Sequence, residues 1–152
     1  MTPLTFDNSA KLATLTPDLR AKAEQHLADC ATRGLRVRIV QALRTHEEQG
    51  ALFAQGREPL DAVNAKRKAV GWAPLDALGN TRPVTWTLQS RHLPGPDGLG
   101  RAYDLGLFDT WGEYIGDGKA YKDVAMLGKA LGLECGYYWK RQDPGHFQLD
   151  PL

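Results

Sequence analysis

The spacing of apolar residues changes several times along this chain, and that alternation narrows the fold more than any other property of the sequence. Thr16-Pro17-Asp18 offers a hydroxyl, a proline and a carboxylate where a helix begins, and Leu19, Ala23, His26, Leu27 and Cys30 continue at helical spacing. Gly34 stops that helix, and Leu35, Val37 and Ile39 then alternate with Arg36, Arg38 and Val40 as a strand that Leu43 closes. His46 to Gln55 is a short helix ended by Gly56.

Further on, Val84 to Leu88 alternates like a strand, residues 94–98 carry strong turn chemistry, and Ala102 to Phe108 resumes strand character. Lys119 to Leu131 presents Val124, Leu127 and Leu131 on one helical face, with Gly132 as terminator. Two closing strands are expected around Gly136 to Trp139 and His146 to Leu149. The order α, β, α, β, β, α, β, β lets most strands pair as hairpins. It predicts an α+β fold in which helices cover a small, mainly antiparallel sheet.

A chain of 152 residues is long enough to bury one proper core, so a single domain over residues 1–152 is expected, with 1–15 as an irregular lead-in from which Phe6, Leu12 and Leu15 can dock. The stretch with Lys66, Arg67 and Lys68 is read as a solvated loop or helix face, and residues 70–83 as a surface excursion bordering a cleft.

Nineteen Lys and Arg stand against eighteen Asp and Glu, which gives no whole-molecule field for nucleic acid or anionic lipid. The first residues lack a basic and an apolar signal region, and no run of about 18 apolar residues occurs, so neither a cleaved signal nor stable membrane insertion is expected. Cys30 and Cys135 have no CxxC spacing and no neighbouring histidine, and are read as small core residues.

Two of the four histidines lie in surroundings that suggest chemistry: Ser90-Arg91-His92, leading through a glycine-rich turn to Asp104, and Asp143-Pro144-Gly145-His146. Two neutral imidazoles and one carboxylate would leave a bound zinc with net positive charge and room for a water whose pKa falls to about 7. Hydrolysis also needs a carboxylate beside the metal to take the water's proton and pass it to the leaving amine, and Asp143 is the candidate. On the residues alone, such a His–Asp pair is more often a turn or a satisfied hydrogen bond than a metal site.

Taken together and in order, Ser90-x-His92, Gly100-x-Ala102-x-Asp104 and Asp143-x-x-His146 resemble the metallopeptidase family of D-alanyl-D-alanine carboxypeptidases and phage L-alanyl-D-glutamate endopeptidases. The segment from Arg44 to Arg57 is also similar to the one this family places before its metal motif, so the likeness spans roughly residues 10–150. It implies Zn2+ held by His92, Asp104 and His146, with Asp143 as general base.

In the same resemblance Arg44 faces the substrate, polarising the scissile carbonyl or holding a stem-peptide carboxylate, with a structural salt bridge as the other reading. Ser90 either orients a ligand or the substrate, or simply ends a strand. The family's compact His-x-x-Gly-x-Ala-x-Asp is lengthened here by Pro96 to Gly100. Asp97, inside that insertion, is a rival carboxylate to Asp104, but its Pro-Asp-Gly setting suits a surface turn. His46 is expected at the surface or on a cleft wall, His26 partly buried, and Trp139 in a core or lining the cleft.

The Asp-Pro-Gly-His-Phe-Gln ending is more similar to the endopeptidase branch, which implies cleavage between L-Ala and D-Glu of peptidoglycan. The implied setting is a monomeric phage or prophage lysin that gathers in the cytoplasm of the producing or infected bacterium and reaches the wall when the membrane is breached. A D,D-carboxypeptidase or dipeptidase, and a non-catalytic wall-binding module of the same fold, are the alternatives.

Overall fold

The computed structural model describes residues 6–85, 87 and 90–149. In chain order the elements are α1 (Ser9–Leu12), α2 (Pro17–Thr32), β1 (Arg36–Gln41), α3 (His46–Ala54), α4 (Leu60–Ala69), β2 (Ala102–Phe108), β3 (Tyr114–Ile115), α5 (Lys122–Ala130), β4 (Leu133–Cys135) and β5 (His146–Leu149). Short 3-10 turns lie at Gly118–Tyr121 and Gly136–Tyr138. The chain forms two compact units, one from residues 1–43 with 94–152 and the other from residues 44–93.

The first unit contains the sheet. Its strand order is β1-β2-β5-β4, with β3 paired to the end of β2, and every one of these pairings is antiparallel. The α+β expectation, helices with a small antiparallel sheet, is therefore met. Period-two alternation sorts the strand residues onto two faces. Val37, Ile39, Tyr103, Leu105, Leu107, Leu133, Cys135 and Phe147 are buried in one core with Leu19, Ala23 and Cys30 of α2 and Val124 and Ala125 of α5. Each fully buried Leu, Val or Phe contributes about 1.5–3 kcal/mol relative to exposure, which is why α2 and α5 pack on this sheet. Both cysteines are free and buried, as expected from their sequence setting.

His26 lies at the centre of this core and is fully buried rather than partly so. Its Nε2 faces the Val124 carbonyl at 2.8 Å and its Nδ1 faces the Tyr103 hydroxyl at 2.8 Å. A carbonyl can only accept, so Nε2 carries the proton and Nδ1 accepts from Tyr103. Both ring nitrogens are thereby satisfied, and burial holds the imidazole's pKa below its ordinary value.

Helix α2 begins at Pro17 and β2 and β5 have the bounds expected, but other segments differ from the sequence reading: β1 ends at Gln41 rather than Leu43, and the short β3 is not among the strands expected. The β4 strand is Leu133–Cys135, and Gly136–Tyr138 is a 3-10 turn rather than a strand. The aromatic run suggested strand propensity, but a Cβ on Gly136 would meet the carbonyl oxygen of Asp143, so the backbone turns tightly there. The helix expected from Lys119 starts as the 3-10 turn and becomes α-helical only at Lys122. Of the strand expected over Val84 to Leu88, Trp86 and Leu88 lie outside the described residues, and Val84, Thr85 and Thr87 belong to no strand. Residues 1–5 of the lead-in also lie outside them, and its remainder includes the single helical turn α1.

In the second unit α3 carries a full capping box, Thr45 accepting from the Glu48 backbone and Glu48 accepting from the Thr45 backbone. The basic stretch is a helix, α4, with Lys66, Arg67 and Lys68 in its last turn, where positive charge complements the exposed carbonyls. Lys66 pairs with Glu58 at 2.9 Å. Residues 70–83 form no helix or strand, in keeping with a surface excursion. Among the described residues no helix is long and apolar enough to cross a membrane.

Candidate metal centre

Opposite the core-facing residues, the alternation of β2, β5 and β4 lines up Asp104, His146, Gln148 and Glu134 on the other face of the sheet. Asp104 is paired directly with His146, and Gln148 directly with Glu134. Directly opposed residues bring their side chains within reach of one another. His146 Nδ1 lies 3.1 Å from Asp104 Oδ1. The side chain of His146 is 7% exposed and that of Asp104 is 23% exposed.

The turn before β5 brings in Asp143. Its backbone N–H donates to the Gly136 carbonyl at 3.0 Å, and the His146 N–H donates to the Asp143 carbonyl at 3.0 Å. This places Asp143 Oδ2 3.7 Å from His146 Nδ1 while leaving the carboxylate 56% exposed. Burial opposes protonation of His146, but the hydrogen bond and charge of Asp104, assisted by Gln148 and Asp143, outweigh it and hold the pKa above the ordinary imidazole value. The Trp139 ring packs beside His146 with centroids 5.1 Å apart.

Within the second unit Ser90 shapes the turn carrying His92: its hydroxyl accepts the His92 backbone N–H at 3.1 Å, and its carbonyl accepts from Leu93. His92 is buried, and its carbonyl accepts the Arg44 backbone N–H at 2.8 Å. Arg44 is itself buried and donates through Nη1 to Gln49 Oε1 at 2.7 Å. Gln49 in turn donates to the Thr87 carbonyl at 2.7 Å. The Arg44 guanidinium is thus held by an amide that is itself held.

His92, Asp104 and His146 each offer one ligand atom, and these atoms all lie within 4.8 Å of one another. The group could hold a metal ion, whose bonds of about 2.0–2.2 Å in a tetrahedral site would set ligand atoms about 3.4 Å apart. The donor set also fits chemically. Gln148 gives its NH2 to Glu134 Oε2 at 3.1 Å and so turns its carbonyl oxygen to His146 Nε2 at 2.8 Å. With Nε2 thus donating to Gln148, Nδ1 is turned toward the Asp104 oxygen, where either a proton, as in the imidazolium, or a metal cation fits between the two atoms.

Asp97 is absent from this group and sits in an exposed turn. There it accepts the Leu99 N–H at 3.0 Å and pairs with Arg101 at 3.3 Å, and the first of these contacts leads in lowering its pKa. His46 is exposed on α3. Sequence reasoning missed Gln148 and Glu134 as parts of the site. The alternation of His146 with Gln148 on one strand was the available signal.

No protein-family model matches the chain, and no curated protein matches it in sequence.

Proposed function

We propose that this protein is a zinc peptidase that cuts peptidoglycan stem peptides, in the manner of a phage or prophage L-alanyl-D-glutamate endopeptidase. The observation that carries the reading is the group of His92, Asp104 and His146, two imidazoles and one carboxylate with a second carboxylate, Asp143, 3.7 Å from His146. The resemblance of the ordered Ser90-x-His92, Gly100-x-Ala102-x-Asp104 and Asp143-x-x-His146 motifs supports the substrate class.

Zinc in such a donor set supplies a water nucleophile at neutral pH and a Lewis acid for the scissile carbonyl. Asp143, exposed enough to meet solvent and substrate, takes the proton of the attacking water and returns it to the departing amine. Arg44, braced by Gln49, offers a planar pair of donors to the carbonyl oxygen or to a stem-peptide carboxylate. Ser90 holds the His92 turn, which makes it a support for a ligand more than a substrate contact.

The test is mass spectrometry of products from purified peptidoglycan incubated with the protein, with chelator and then with zinc restored. Chelator-sensitive new termini at L-Ala–D-Glu are expected. Loss of terminal D-Ala instead would reassign the enzyme to the carboxypeptidase class, and no product with zinc bound would refute peptidase activity.

A further inference from the structure

The hydrogen bonds behind His146 run in one direction. The Glu134 carboxylate can only accept, and it takes the Trp139 indole N–H on Oε1 at 3.1 Å and the Gln148 amide N–H on Oε2 at 3.1 Å. An amide that gives its NH2 to a carboxylate must turn its oxygen the other way, and the Gln148 oxygen meets His146 Nε2 at 2.8 Å. That oxygen accepts only from a protonated nitrogen. Cross-strand pairing of Glu134 with Gln148, and the same-face position of His146 two residues before Gln148, build this line into the sheet.

We propose that Gln148, oriented by Glu134, is a positioning residue that fixes the His146 tautomer so that Nδ1 is presented to a metal ion beside Asp104. The assignment rests on the metal-site reading above and adds to it residues that touch neither metal nor substrate. Without the relay, the neutral ring distributes its proton between two nitrogens, and the form with Nδ1 protonated cannot ligate through that atom. Glu134 acts at one remove: carboxylate, amide and imidazole are ordered in that sequence because only the carboxylate has no donor.

The experiment uses the whole chain and two readouts. Long-range proton–nitrogen NMR of the metal-free protein, on the alkaline side of the His146 titration, reports which ring nitrogen carries hydrogen, and competition with a coloured chelator reports zinc affinity. The wild type is expected to show the Nε2-protonated form. Gln148→Leu, of similar volume, is expected to show both tautomers and to bind zinc about 10- to 100-fold more weakly. The double exchange Glu134→Gln with Gln148→Glu keeps the direction of the relay, now with the carboxylate next to the imidazole, and is expected to recover affinity to within a few-fold of wild type.

A merely structural role would leave the tautomer unchanged and would not be rescued by the exchange. Wild-type zinc affinity in Gln148→Leu, or an exchange variant as weak as Gln148→Leu, overturns the proposal. Failure of the wild type to bind zinc overturns the metal site itself. Tight zinc binding with no peptidoglycan product overturns the peptidase reading alone and leaves the relay standing.

Discussion

Asp104 on β2 and His146 on β5 are direct cross-strand partners, and their facing side-chain atoms, Oδ1 and Nδ1, are 3.1 Å apart. Backbone pairing, not a flexible loop, sets this distance. The pair also ties the candidate metal centre to the core, since the adjacent cross-strand pair, Tyr103 and Phe147, is fully buried.

Substitutions at His146 and at its neighbour Asp143 should separate binding from turnover. Asp143→Ala is expected to keep zinc while losing about 10²- to 10⁴-fold in kcat, the usual worth of a positioned acid–base group. His146→Ala should lose both zinc and turnover, and Asp97→Ala should change neither. Zinc content by mass spectrometry beside peptidoglycan hydrolysis decides it, and full activity of Asp143→Ala removes that residue from the mechanism.

Metal binding should also appear as stability. A ligand that binds only the folded state at about 100 times its Kd adds about 2.7 kcal/mol. For a chain of this size that corresponds to a rise of about 5–10 °C in Tm. Thermal melts with excess chelator and with added zinc measure it, and identical melts would argue that no metal is held in the folded state.

His26 predicts a pH dependence with a definite sign. Its folded pKa is depressed by burial, so the unfolded chain takes a proton more readily than the folded one. Its contribution is complete above the unfolded value of about 6.5 and declines as the pH falls through the interval down to the folded pKa. Denaturant titrations at a series of pH values should show a steeper acid loss for the wild type than for His26→Leu. Parallel curves would mean that His26 does not titrate differently on unfolding. The variant itself takes the His26 acceptor from the buried Tyr103 hydroxyl, at about 1–3 kcal/mol, while the Val124 carbonyl keeps its place in the hydrogen-bond ladder of α5.

Gly136→Ala would place a methyl group against the backbone carbonyl of Asp143. That carbonyl is held by the His146 N–H, so it cannot step aside without moving the turn that carries both residues. A stability loss of about 1–3 kcal/mol is expected from the overpacking. Zinc affinity should fall with it, and a variant with wild-type affinity would show that the turn tolerates displacement.

Arg44→Lys tests whether the braced guanidinium matters. Lysine has one point charge where arginine has a planar fork, and it cannot reproduce the Gln49 contact together with a second aligned donor. Losing a charged hydrogen bond worth about 1.5–3 kcal/mol should lower kcat/KM by about 10- to 100-fold with zinc content unchanged. Equal kcat/KM in both proteins would return Arg44 to a purely structural role.

The sequence by itself determined the alternation of helix and strand, because hydrophobic period is a local property: the 3.6-residue spacing of Leu19, Ala23 and His26 and the twofold spacing of Val37 and Ile39 depend on no distant partner. It also singled out His92, Asp104 and His146, whose motifs are short and whose chemistry belongs to their side chains. What it could not supply were relations across the sheet. The aromatic run after Cys135 reads as a strand until Gly136 packs on Asp143, and Gln148 reads as one more polar strand residue until β4 sets Glu134 beside it. Propensity is written residue by residue, but the direction of a hydrogen bond depends on what stands at its other end, and only the tertiary pairing decides that.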